Sequence, residues 1–230
     1  MQHVALQSLP LSCDAAFSAA IDRDNLARRP CTDGTRVDIL AQIKAWVDST
    51  KVPPVYWLTG LAGLGKTTVA YSICKSLDEA RTPFASFCSL QLDSKKSKLL
   101  VTTLCRDLVE IYKPYAAKLA SVLETNTKAV HAGLRIQIDE LLAKPWQASI
   151  TQRQDGVIPT PIVIVDALDE SDRGTEFLEE LLRFIQAGQL TGVKFLVTSR
   201  PDPKIVDICK SFPPNAVYCQ CPKRRREISA

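Results

Sequence analysis

Apolar residues recur along this chain with two different periods. Short continuous runs rich in β-branched and aromatic residues, VYWLT (55–59), FASFCSL (84–90), PIVIVDA (161–167), VKFLVTS (193–199) and NAVYCQC (215–221), read as buried strands. Between them the spacing changes to three and four. Val37, Leu40, Ile43 and Val47 form one helical face, entered through Thr35 and Asp38 at capping-box spacing and stopped by Pro53 and Pro54. Val69, Ala70, Ile73 and Leu77 form a second, and Leu100, Leu104, Leu108 and Ile111 a third. Leu134, Ile138, Leu141 and Leu142 make a fourth stripe, with Pro114 and Pro145 as breaks. GTEFLEELLRFIQAG is an amphipathic helix closed by Gly188. Strands alternating with helices require right-handed crossovers, so the expected class is α/β, a parallel sheet of about five strands with helices on both faces.

One domain accounts for this pattern, over 29–221. Residues 1–28 are polar and weakly patterned and read as a leader, poorly structured or partly helical, and 222–230 as a basic tail whose KRRR run is solvated. There is no internal repeat. A length of 230 residues with 46% hydrophobic and 23% charged positions is ordinary for a globular chain, and a net charge of +4 is too small to argue for nucleic acid or an anionic membrane. No apolar run approaches a membrane span and the first residues lack a basic signal region, so the expected location is cytoplasmic. The 8 cysteines are scattered and several lie in apolar stretches, which suits buried, reduced thiols. Cys219 and Cys221 have no second pair to complete a zinc site.

Of only 9 glycines, three fall within the six residues Gly60–Gly65, followed by Lys66, Thr67 and Thr68. GLAGLGKT fits G-x-x-x-x-G-K-[ST], a pattern expected by chance about once in a hundred chains of this length, and less often between a strand and a helix. The stretch Gly60, Leu61, Ala62, Gly63, Leu64, Gly65, Lys66, Thr67 and Thr68 is therefore the candidate phosphate loop, and the architecture that of a P-loop NTPase three-layer sandwich. Glycine permits the curl that points N–H groups at phosphate oxygens, and the helix start adds positive potential. Lys66 is placed to reach the β- and γ-phosphates, Thr67 to ligate Mg²⁺, and Thr68 to meet the α-phosphate.

Asp166 ends the most hydrophobic strand, where a charge needs a partner, and is the candidate second Mg²⁺ ligand with Thr67. Glu170, or Asp169 in its place, is the candidate base for an attacking water. Arg200 follows the next strand on the same sheet edge, where a guanidinium reads a γ-phosphate. The catalytic set expected from sequence is thus Glu170, Asp169, Lys66 and Arg200.

GLAGLGKTT, IVIVDALDE and KFLVTSRPD together resemble the NACHT ATPase module of the signal-transducing STAND class of P-loop NTPases. CTDGTR, TTLCRDLVEIY and LDESDRGTEFLEELL look like the nephrocystin-like NACHT proteins of mushroom-forming fungi, over Arg29 to Tyr218. The resemblance implies a five-stranded parallel sheet, ATP or ADP bound with Mg²⁺, and slow hydrolysis that sets a conformational or assembly switch. It also implies nucleotide as ligand, self-association or assembly with full-length NACHT proteins, and neither a specific nucleic acid nor a membrane as partner. After NAVYCQC the sequence runs to CPKRRREISA, so the family's winged-helix contact to the ADP phosphate has no residue here to carry it. Two other functions share the loop: a non-hydrolysing nucleotide-binding module, and a P-loop small-molecule kinase, for which no basic lid segment is evident. GTP is disfavoured by the lack of N-K-x-D and D-x-x-G. Arg29 to Arg36 is expected to line the base through backbone contacts.

Overall fold

The computed structural model describes residues 6–7, 9–12, 15, 17, 29–32, 34–89, 95, 98–151 and 160–221. The basic tail, KRRR included, and most of the leader lie outside them. Five strands, β1 (Val55–Thr59), β2 (Phe84–Cys88), β3 (Ile162–Asp166), β4 (Lys194–Ser199) and β5 (Val217–Gln220), form one sheet in the order β2-β3-β4-β1-β5. Every pairing is parallel, with Trp57 opposite Val197, Val165 opposite Val197 and Cys88 opposite Asp166. The helices are α1 (Val37–Asp48), α2 (Lys66–Glu79), α3 (Leu100–Ile111), α4 (Lys113–Thr125), α5 (Leu134–Gln137), α6 (Lys144–Ile150), α7 (Gly174–Gln186) and α8 (Pro203–Ser211).

The period-two geometry of a strand divides the core into two. Tyr56, Leu58, Ile162, Ile164 and Leu196 pack with Ile39, Ile43 and Trp46 of α1 and Val69, Ile73 and Leu77 of α2. Their neighbours Trp57, Val163, Val165, Phe195 and Val197 face the other way, into a larger cluster built with α3 to α8. Helices therefore cover both faces, as three layers, and the fold expected from the pattern is the one observed. Burial on both faces is why these strands read as continuous apolar runs; each such side chain contributes about 1.5–3 kcal/mol.

Three local expectations are corrected. Thr35 does not cap α1: its hydroxyl bonds back to the Thr32 carbonyl at 2.6 Å, and the residue before the helix is Arg36 in the left-handed region. The buried face of α1 is Ile39, Ile43 and Trp46, while Val37 is 58% exposed, because Trp46 has the larger apolar surface to bury and draws the helix round to it. Pro145 does not end its helix. α5 runs through a π-helical turn at Ile138–Ala143 into α6, whose first turn takes the proline. A proline at 145 leaves the carbonyl four residues earlier without its usual donor; that carbonyl, on Leu141, accepts from the Tyr115 hydroxyl at 2.6 Å instead.

The described part of the leader is docked. Leu6, Leu9 and Ala15 join the larger core and Phe17 the smaller. Ser12 N–H donates to Thr103 Oγ1 at 3.0 Å and Phe17 N–H to Ser86 Oγ at 2.9 Å. These anchors fall at irregular spacing, so they leave no period in the sequence to find.

Candidate phosphate-binding site

β1 passes at Thr59 into the glycine-rich loop, which is held down at its start by Gly60 N–H donating to the Ser199 carbonyl at 3.3 Å. Gly63 and Gly65 both have φ of 77°, where a side chain would be strained. The first hydrogen bond of α2 runs from Val69 N–H to the Gly65 carbonyl at 3.0 Å. Among the described residues the N–H groups of Lys66, Thr67 and Thr68 thus have no backbone acceptor, the ordinary state of a helix start and the source of its positive potential. Lys66 Nζ reaches back to the carbonyls of Gly60 at 2.6 Å and Leu61 at 3.1 Å. Burial lowers its pKa, Asp169, Asp166 and Glu170 raise it, and Arg200 lowers it further.

Asp166 ends β3 with only 4% of its surface exposed. Its Oδ1 accepts from the Thr198 hydroxyl, and its Oδ2 lies 3.2 Å from Cys88 Sγ. The same Thr198 oxygen accepts from Ala167 N–H at 3.0 Å, fixing a residue at φ of 56° that turns the chain sharply after the strand. Thr67 and Asp166 line one cavity of about 30 Å³, together with Cys74, Cys88 and Phe17. That volume suits a water, not a nucleotide. Two further oxygens at the ends of neighbouring strands, Thr59 Oγ1 and Ser89 Oγ, are buried without a hydrogen-bond partner. Ser89 is one residue past the Asp166 partner Cys88, and its N–H donates to the Asp166 carbonyl at 2.9 Å.

The turn Leu168–Glu170 carries the other carboxylates towards β4. Arg200 meets both: its N–H donates to Asp169 Oδ1 at 2.9 Å, its Nε lies 3.3 Å from Asp169 Oδ2, and a terminal nitrogen donates to Glu170 Oε1 at 2.9 Å. The Arg200 side chain is 54% exposed, so each contact is worth no more than about 1 kcal/mol and opens readily. The sheet edge thus gathers Lys66, Thr67, Asp166, Asp169, Glu170 and Arg200 around the ends of β1, β3 and β4.

Sequence reasoning missed Thr198, Cys88 and Arg36. Thr198 stands in TSRPD, two residues from a position singled out for its charge, but a hydroxyl inside a strand gives no sign of which carboxylate it will face. Arg36 was placed by its backbone alone; its guanidinium lies against Gly65.

The profile of a family described as nephrocystin 3, N-terminal, matches residues 34–200, more than two thirds of the chain. No curated protein matches it. Among solved structures, the Aeropyrum pernix ORC1 protein in complex with DNA is similar at 15% identity and a TM-score of 0.42, over 81% of this chain and 44% of that one. Drosophila ORC bound to GC-rich DNA and Cdc6 is similar at 16% identity and a TM-score of 0.45, over 80% of this chain and 28% of that one. The chain spans less than half the length of either. Among the described residues no helix is long and apolar enough to cross a membrane.

Proposed function

The chain belongs to the nephrocystin 3 N-terminal family, and from that premise we propose that it is a NACHT-type P-loop NTPase, binding ATP or ADP with Mg²⁺ and hydrolysing ATP slowly as a signalling switch. The observation that carries this reading is the convergence of a phosphate-loop sequence, in strand–loop–helix geometry, with a buried strand-end aspartate on one cavity wall beside Thr67. The residues fit the group. Thr67, Asp166 and the unpaired oxygens of Thr59 and Ser89 are hard donors of the kind Mg²⁺ takes, directly or through water. When bound, Mg²⁺ would supply positive charge to the phosphate oxygens.

The protein's own groups have separable tasks. The loop N–H groups and Lys66 hold the phosphates, and Lys66 leaves the Gly60 and Leu61 carbonyls to do so. Glu170, with Asp169 as the alternative, accepts the proton of an attacking water at its carboxylate. Arg200 sits on both carboxylates. A carboxylate neutralised by a guanidinium is a poorer base, which supports slow turnover and keeps open a second reading, a nucleotide-binding module that does not hydrolyse until that pair opens.

Phosphate release under single-turnover conditions tests the choice. Hydrolysis predicts measurable release by the native protein and a loss of at least about tenfold in Glu170→Gln. Binding of ATP with no release above the Glu170→Gln level would leave the non-hydrolysing module as the function.

A further inference from the structure

The turn before α1 touches the phosphate loop in a way its sequence does not announce. Thr35 N–H and Oγ1 both bond the Thr32 carbonyl, at 2.9 and 2.6 Å, closing the turn. Cys31 N–H donates to Ser72 Oγ at 2.8 Å, and Ser72 Oγ in turn donates to the Thr68 carbonyl at 2.8 Å, so the turn is tied to the first turns of α2. Arg36 follows with φ of 54°, a left-handed conformation in a residue that has a side chain. Its guanidinium is laid on Gly65: a Cβ at that glycine would stand 2.1 Å from its Nη2 and 2.4 Å from its Cζ.

Among the described residues Arg36 has no counter-charge. Arg106, Arg135, Arg173, Arg183 and Arg200 each hold a Glu or Asp. Among the described residues the polar contact of Arg36 is the Cys31 thiol at 3.8 Å, and it pairs with no carboxylate. It is half-buried at the same helix start that already carries Lys66 and three unpaired N–H groups. The free N–H groups and Lys66 favour an anion at this helix start, and the Arg36 guanidinium adds a cation beside Gly65. A planar guanidinium meets a phosphate through two parallel N–H bonds, which an ammonium cannot do.

We propose that Arg36 is a second phosphate-gripping cation of this site, contacting the diphosphate portion common to ADP and ATP from the α1 side of the loop. This deepens the reading of the loop as a nucleotide site and rests on it. Gly65 then answers two demands, the left-handed backbone and the room for Arg36.

The test is titration calorimetry of Mg·ADP and Mg·ATP on the full chain and on Arg36→Met, which keeps the apolar stem, and Arg36→Lys. The melting temperature of each variant without nucleotide is measured alongside. The expected result is a loss of about tenfold or more in affinity for both nucleotides in Arg36→Met, a smaller loss in Arg36→Lys, and an unliganded melting temperature unchanged or raised. Native-like affinity in Arg36→Met overturns the proposal, and so does a lost affinity matched by a lowered unliganded melting temperature, which marks a purely structural contact. If the native chain itself binds neither nucleotide, the nucleotide reading fails and this inference with it; binding by native and variant alike sinks only the role of Arg36.

Discussion

Replacing Thr198 by valine keeps nearly the same shape and removes one oxygen. That oxygen serves two partners, donating to Asp166 Oδ1 and accepting from Ala167 N–H. Thr198 is fully buried and Asp166 nearly so, at 0% and 4% exposure, and water does not readily replace it. A hydrogen bond to a charged group is worth about 1.5–3 kcal/mol, and a buried N–H left unpaired costs about 1–3 kcal/mol. Because a single hydroxyl makes both contacts the terms do not add, and a loss of about 2–4 kcal/mol is expected. For a chain of this length about 3 kcal/mol lowers the melting temperature by roughly 6–12 °C. Urea unfolding followed by circular dichroism should show a lower midpoint at unchanged slope, with Thr198→Ser close to the native protein. Thr198→Val within about 0.5 kcal/mol of native stability would refute the claim that this hydroxyl supports the strand-end carboxylate.

Asp107 Oδ2 accepts from Ser86 N–H of β2 at 2.9 Å, and its pKa is pushed up to about 7 by burial, against the Ser86 bond and with help from the charge of Glu110. A carboxyl whose folded pKa exceeds its unfolded value keeps its proton longer in the fold, so stability is expected to fall as pH rises from about 4 to 7. Asp107→Asn should flatten that slope in pH-dependent urea titrations, with a gain of about 1–3 kcal/mol at pH 8. Lys194 Nζ donates to the carbonyls of Trp46, Val47 and Ser49, the C-terminal end of α1. Lys194→Met strips three acceptors of their donor and should cost about 2–4 kcal/mol of unfolding free energy, read by the same urea titration.

The sheet was legible because its strands are buried on both sides: Ile162 to Val165 and Phe195 to Val197 carry no polar residue to blur the run. Helix faces were legible where several apolar residues share one stripe, as in α3 and α7, and less so in α1, where one tryptophan decides which side is buried. Pro145 misled because a local rule about a missing N–H was met by a distant hydroxyl, on Tyr115. The turn from β1 into α2 was readable because its backbone demands glycine at Gly63 and Gly65, and the strand end at Asp166 because a charge after an apolar run is conspicuous. Thr198, Cys88 and Arg36 were not readable, since Thr198 and Cys88 matter through Asp166, 32 and 78 residues away in sequence, and Arg36 through Gly65, across a turn whose conformation no residue pattern specifies.

The account turns on whether Gly60–Thr68 grips a nucleotide through Lys66. Equilibrium titration of native protein and Lys66→Ala with Mg·ATP and Mg·ADP measures this directly. Tight binding by the native chain and a loss of about a hundredfold or more in the variant is the predicted result, because the variant removes a desolvated cation from the phosphates. Equal affinity in the two proteins, or no binding by either, would contradict it.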